Sequence, residues 1–232
     1  MESIAENVRR VQEHIAEAAV RAGRDPASVT LVAASKTQPP EKIREAFEAG
    51  IRVFGENRAQ ELRDKRDAFA GAAVHMIGHM QTNKANMVVG HCDLVESVDS
   101  LHLAAALDAA AAKAGVVQEV LAEINIAEEP EKSGLLPGEL DDFLDAFGRF
   151  AHLKLCGLMT IGPKPESETA NRKYFEKCFG IFLDKRKKEC NNITMRIMSM
   201  GMSRDYETAI LAGATMVRVG TAIFGERAYP KI

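Results

Sequence analysis

The chain has 232 residues, 46% of them hydrophobic and 27% charged, the balance of a globular protein and not of a disordered one. Its 30 Lys and Arg nearly match its 33 Asp and Glu, for a net charge of −3, which argues against a nucleic-acid footprint or a polybasic membrane anchor. No run of about 18 apolar residues could form a membrane-spanning helix, and none of the four cysteines forms a C-x-x-C pair.

At the N-terminus, Ile4, Val8, Val11, Ile15 and Ala19 recur at spacings of three and four, the pattern of an amphipathic helix. Gly23 and Pro26 end it. This segment mixes charged with apolar residues and lacks a continuous apolar stretch, so it does not read as a signal peptide. The rhythm then changes to short apolar runs alternating with longer helical patterns. Strands are expected at Val29–Ser35, Arg52–Gly55, Val74–Gly78, Asp93–Ser97, Val117–Ile126, Leu153–Thr160, Met195–Met200 and Met216–Gly220. Between them, helices are expected at Pro40–Ala49, Arg58–Phe69, Asn83–Val89, Leu101–Ala114, Pro137–Phe147, Glu168–Glu189 and Ser203–Leu211.

Strand–helix alternation implies parallel strands joined by crossover helices. Eight such units in a chain of this length fit a (β/α)₈ TIM barrel, which typically takes roughly 250 residues. An open doubly wound sheet is the alternative, but no G-x-G-x-x-G follows the first strand. No Gly/Ser-rich linker divides the chain, so residues 1–232 are read as one domain with an extra N-terminal helix.

A barrel of this kind carries its active site at the C-terminal ends of its strands. The first strand ends in Val32-Ala33-Ala34-Ser35-Lys36, and a lysine desolvated at a barrel mouth becomes a nucleophile toward carbonyls. The bland reading of Lys36 is a lysine that reaches the rim. The second strand ends in Gly55-Glu56-Asn57, where Asn57 could cap the next helix or touch a ligand. On the third, His75 and His79 would share a face of a strand but lie about 13 Å apart, a poor metal pair. The seventh and eighth strands end in Ser199-Met200-Gly201-Met202-Ser203 and in Arg218-Val219-Gly220-Thr221. Barrels often bind phosphate with these two loops and a short extra helix. Arg218 interrupts an apolar strand, and period two puts it on one face with Met216 and Gly220, so it points into the barrel near its mouth or outward under a helix. A buried charge there needs a partner.

Six stretches together resemble the pyridoxal 5′-phosphate (PLP) homeostasis protein family: LVAASKTQP (31–39), FGENRAQEL (54–62), HMIGHMQTNKAN (75–86), GLMTI (157–161), SMGMSRDYETAI (199–210) and VRVGTAIFGER (217–227). Met80 and Thr82 stand where Leu and Ser are common in that family. The resemblance implies a barrel of the alanine racemase N-terminal-domain type. It implies that Lys36 carries PLP as a Schiff base (an internal aldimine). It puts the phosphate against Ser199, the backbone of Met200 and Gly201, and Gly220 and Thr221, with Arg218 beside the pyridine nitrogen and Asn57 near the ring.

An arginine stays protonated and only donates, so it disfavours protonation of that nitrogen and leaves PLP a weak electron sink. Racemases of this fold also draw a second acid/base from an additional β domain and a partner subunit, and the residues after the eighth strand are too few for one. His79 and Tyr206 are weak substitutes. The expected role is therefore PLP binding and homeostasis without turnover, in the cytoplasm, as a monomer, with apo PLP-dependent enzymes as partners and neither nucleic acid nor membrane. A racemase-like enzyme acting on a small amino acid is the alternative. An aldolase using Lys36 on a sugar phosphate fits the local features but not the whole-chain match.

Overall fold

The eight apolar runs become eight strands: β1 (Thr30–Ala34), β2 (Val53–Glu56), β3 (Ala73–Met76), β4 (Leu94–Val98), β5 (Gln118–Ile124), β6 (Leu153–Thr160), β7 (Ile193–Ser199) and β8 (Met216–Val219). In the computed structural model, which describes residues 3–162, 168–187 and 192–225, they pair in sequence order and close into a barrel. All neighbours are parallel, and β8 returns to β1 through Thr30–Ala33 against Met216–Val219. The open-sheet alternative is thus set aside.

Period-two alternation divides the strand side chains between two cores. Val32, Ile77, Leu94, Leu121, Cys156 and Met216 form a small apolar cluster of their own, apart from the larger core that includes Phe54, Leu107, Phe147 and Phe175. Two residues beyond several members of the small cluster, toward the C-terminal strand ends, the inward positions turn polar: Glu96, Glu123 and Arg218, all buried. The barrel therefore has an apolar layer below and a charged layer at its mouth. Between β6 and β7, Gly157 adopts φ +152, and a Cβ there would lie 1.9 Å from the Ile197 carbonyl oxygen. Only glycine lets these strands approach where their register shifts.

The helical layer comprises α1 (Ile4–Arg21), α2 (Pro40–Glu48), α3 (Ala59–Asp64), α4 (Ala85–Val88), α5 (Leu101–Ala114), α6 (Leu140–Phe147), α7 (Glu168–Lys185), α8 (Tyr206–Leu211) and a short α9 (Thr221–Phe224). The helix expected over Arg58–Phe69 breaks at Lys65, where α3 gives way to a 3₁₀ turn, Arg66–Phe69. The Lys65 side chain is drawn inward there to three acceptors. The segment expected as a helix at Asn83–Val89 is a 3₁₀ turn (Thr82–Lys84) followed by α4, and α8 begins at Tyr206, three residues later than expected. The expected end of α7 at Glu189 lies outside the described residues.

The N-terminal helix forms as its periodicity requires. Ser3 caps it in a reciprocal box with Glu6, and Ile4, Val8, Val11, Ile15, Ala18 and Ala19 are buried. It also braces one side of the mouth. Asn7 donates from its buried amide to the Ile223 carbonyl of α9 (3.0 Å), and His14 bonds the Tyr206 hydroxyl of α8 (3.1 Å).

Candidate functional site

Lys36 follows β1 in a turn and is half-buried. Both of its neighbours are tied down. The Ser35 hydroxyl donates to Glu56 Oε1 (2.7 Å), and the Ser35 carbonyl accepts from Lys65 Nζ (3.1 Å). The Thr37 N–H donates to Glu61 Oε2 (2.8 Å). Thr37 has φ +64, a left-handed conformation that costs a β-branched residue on the order of 1–3 kcal/mol. Lys65 Nζ also reaches Glu56 Oε1 (3.1 Å) and Glu61 Oε2 (2.6 Å). Burial pushes the Glu56 carboxyl above its ordinary range, although Ser35 and Lys65 pull the other way. Burial acts on Glu61 too, but the hydrogen bonds from Lys65 and Thr37 and the Lys65 charge outweigh it and hold that carboxyl low.

Asn57, just past β2, has a buried Oδ1 with no hydrogen-bond partner. Such an atom is costly to bury unless something else meets it.

Arg218 points into the barrel, as its strand periodicity requires, and is 4% exposed. Nη1 donates to the Ser199 hydroxyl (2.6 Å) and lies 3.7 Å from Glu96 Oε2, while Nη2 donates to the Thr160 carbonyl (2.9 Å). Ser199 in turn donates to Glu96 Oε2 (2.6 Å), and His75 Nδ1 donates to Glu96 Oε1 (2.7 Å). Glu96 is fully buried, which by itself would raise its pKa. The His75 hydrogen bond and charge, the Arg218 charge and the Ser199 hydrogen bond outweigh burial, and the carboxyl is held below the usual range. Glu123 is nearby and different. Burial, then the Asp99 charge, push its carboxyl up against the pull of Arg218, Ser133 and His79, and its Oε2 has no partner.

The β7 and β8 loops come together as expected. Gly201 has φ +93, and a Cβ there would lie 2.6 Å from the Ala209 Cβ, so the turn closes tightly on α8. Ser203 does not cap α8. Its hydroxyl accepts from the backbone N–H groups of Gly220 (3.1 Å) and Ala222 (3.3 Å), so both amides converge on one oxygen. Asp205 fixes the loop from behind by accepting from the Met202 N–H (2.6 Å). The Met200 N–H donates to the Met216 carbonyl, and the Ser199 hydroxyl is engaged inside the barrel. At the loop surface Thr221 is exposed and Ser203 and Gly220 are half-buried, while Gly201 is buried beneath them.

The weak proton-donor candidates fall elsewhere. Tyr206 is bonded to His14 on the outer layer, and His79 is 60% exposed and paired with Asp99 (3.2 Å). His75 and His79 do not meet, and no group of three metal-ligating side chains occurs among the described residues. Cys92, Cys156 and Cys178 are free thiols, and Cys190 lies outside the described residues. Among the described residues no helix is long and apolar enough to cross a membrane.

Glu96, Glu123, Glu56, Glu61 and Lys65 are residues that the sequence analysis left without a role. The first two carried the signal that singled out Arg218, a charge inside an apolar strand: Leu94-Val95-Glu96-Ser97-Val98 and Val120-Leu121-Ala122-Glu123-Ile124.

Comparison with known proteins agrees with this geometry. The family model "Alanine racemase, N-terminal domain" matches residues 1–228. The pyridoxal phosphate homeostasis protein of Aquifex aeolicus is 41% identical over 97% of this chain and 98% of its own length. That of Escherichia coli K12 is 41% identical over the whole of both chains. The structure of PipY from Synechococcus elongatus with PLP bound superposes with a TM-score of 0.83 at 32% identity, covering 96% of this chain and 100% of that one. An alanine racemase from Clostridium difficile shares the fold (TM-score 0.75) at 14% identity, and this chain spans 57% of it. With its fold and nearly its whole length matched in this way, the chain belongs to the pyridoxal phosphate homeostasis proteins, a family built on the alanine racemase N-terminal domain.

Proposed function

We propose that this chain, acting as one domain, binds PLP at the barrel mouth and serves cellular PLP homeostasis without turnover of its own. The observation that carries the reading is the convergence of three features on one mouth: Lys36 after β1, Arg218 inside β8, and the Gly220 and Ala222 amides aimed at one oxygen. When bound, PLP supplies an aldehyde that condenses with a primary amine and releases water. Lys36 would supply the amine, its nitrogen forming a C=N bond to the aldehyde carbon as the carbonyl oxygen leaves in water.

The other residues fit the group. Of the residues expected at the phosphate, Gly201, Gly220 and Thr221, with Ser203, would hold it, whereas the Ser199 hydroxyl and the Met200 N–H are engaged within the barrel. The two amides on the Ser203 hydroxyl have the direction such a dianion needs. The unpartnered Asn57 Oδ1 is a polar atom that a ligand would meet. Arg218 would face the pyridine nitrogen with a guanidinium that only donates and would keep that nitrogen unprotonated.

The absence of turnover is supported by the engagement of the weak candidates for a racemase's second proton donor: His79 is paired with Asp99 and Tyr206 is bonded to His14. We place the protein in the cytoplasm, as a monomer that hands PLP to apo-enzymes. The reduced thiols agree with that compartment.

The experiment is to load purified protein with PLP, mix it with an apo PLP-dependent enzyme, and separately incubate it with amino acids in deuterated water. Recovery of the apo-enzyme's activity with no deuterium at the amino-acid Cα is the expected result. Rapid Cα exchange by the loaded protein alone would establish an enzyme instead.

A further inference from the structure

Lys36 sits between two residues whose backbones are held by one buried cluster. Ser35 is gripped through its carbonyl by Lys65 (3.1 Å) and through its hydroxyl by Glu56 (2.7 Å). Thr37 is gripped through its N–H by Glu61 (2.8 Å). The three grips meet at Lys65 Nζ, whose acceptors are Ser35 O, Glu56 Oε1 and Glu61 Oε2. An ammonium group has three N–H donors, and here each has an acceptor. The cluster is shielded, with the Lys65 side chain 11% exposed and Glu56 fully buried.

The Lys65 donors are satisfied while Glu56 Oε2 is buried without a partner, and a buried cluster kept at that cost against a strained turn has a use beyond surface electrostatics. Thr37 is β-branched and left-handed, a conformation that persists only where its surroundings over-determine it. The Glu61 carboxylate supplies that restraint one residue from Lys36. It also explains why α3 stops at Asp64, since Lys65 leaves helical geometry where its side chain turns in toward the cluster.

We propose that Glu61, backed by Lys65 and Glu56, is a positioning residue for Lys36: it holds the strained Thr37 turn and thereby aims the lysine amine into the mouth. The inference rests on reading Lys36 as the PLP anchor. Glu61 does not touch the cofactor and acts through the backbone. Its contribution is pre-organisation, which appears in the rate at which Lys36 captures PLP and not only in the stability of the fold.

The test measures Schiff-base formation on mixing apo protein with PLP, followed by borohydride reduction and peptide mapping of the labelled lysine. Wild type, Glu61→Ala and Glu61→Gln are compared, each first shown to melt cooperatively. Glu61→Ala is expected to capture PLP about 10- to 100-fold more slowly, the range for a misplaced reacting group. Glu61→Gln keeps an oxygen for the Thr37 N–H and is expected to stay close to wild type. The double variant Glu56→Gln/Lys65→Met removes the support behind Glu61, leaving that carboxylate with the Thr37 N–H but without its cation, and is expected to slow capture as well. A Glu61→Ala protein that melts lower but labels Lys36 at the wild-type rate would overturn the positioning role. A wild type labelled at some other lysine would overturn the anchor itself, and this inference with it.

Discussion

Arg218 is the residue on which the inner site turns, and its neighbours explain why a guanidinium can sit there. Glu96 balances its charge, Ser199 bridges the two, and the Thr160 carbonyl takes a further N–H. Breaking a buried pair by removing one member strands the other charge, at a cost of about 3–5 kcal/mol. Arg218→Gln is expected to lower stability by that order in denaturant titration, and the double variant Arg218→Gln/Glu96→Gln by clearly less, since neither member of the pair is then left charged without the other. Glu123 gives the opposite signature. Its carboxyl is held above the ordinary range by burial and by Asp99. A carboxyl raised in this way contributes stability that is fully present below its unfolded pKa, about 4.3, and that is lost as pH rises through the folded value. Glu123→Gln, neutral throughout, is therefore expected to be more stable than wild type at neutral pH, with the difference closing in acid. Melting curves across that range check the sign. At this scale a charge breaking an apolar strand singled out Arg218, while the same signal at Glu96 and Glu123 was passed over. The sequence was silent on Lys65, which reads as an ordinary solvated lysine of an amphipathic helix until the fold draws it under the Lys36 turn.

Among the elements, α1 matters because it braces the loops after β7 and β8 through α8 and α9. The Asn7 amide on the Ile223 carbonyl is the most buried link between α1 and the short helix after β8. Replacing it with alanine leaves that carbonyl unpaired, a penalty of about 1–3 kcal/mol. Asn7→Ala should therefore melt lower and also bind PLP more weakly. A loss of stability with unchanged affinity would mean that α1 supports the barrel but not the mouth. α1 and α2, whose apolar residues recur cleanly at helical spacing, were legible from that spacing alone. The broken helices were not. α3 is cut short where Lys65 turns in to Ser35 and Glu56, and α8 begins late because Ser203 turns back to α9 instead of capping it. Local pattern carries no trace of such tertiary overrides.

For the whole molecule, the strand count and the clustering of glycines and hydroxyls after β7 and β8 were enough to expect a closed barrel with a phosphate-type mouth. What remained hidden was the two-layer interior, apolar below and charged above, because it depends on register between strands. A ligand that binds only the folded state stabilises it by mass action, about 2.7 kcal/mol at a hundred times its dissociation constant. For a chain of this size, saturating PLP is expected to raise the melting temperature by about 5–10 °C.

The most direct measurement is to saturate the protein with PLP, reduce with borohydride, digest, and identify the modified peptide by mass spectrometry. The account expects one dominant pyridoxyl adduct, on Lys36. An unmodified Lys36 beside a labelled lysine elsewhere, or no stable adduct at all, would contradict it.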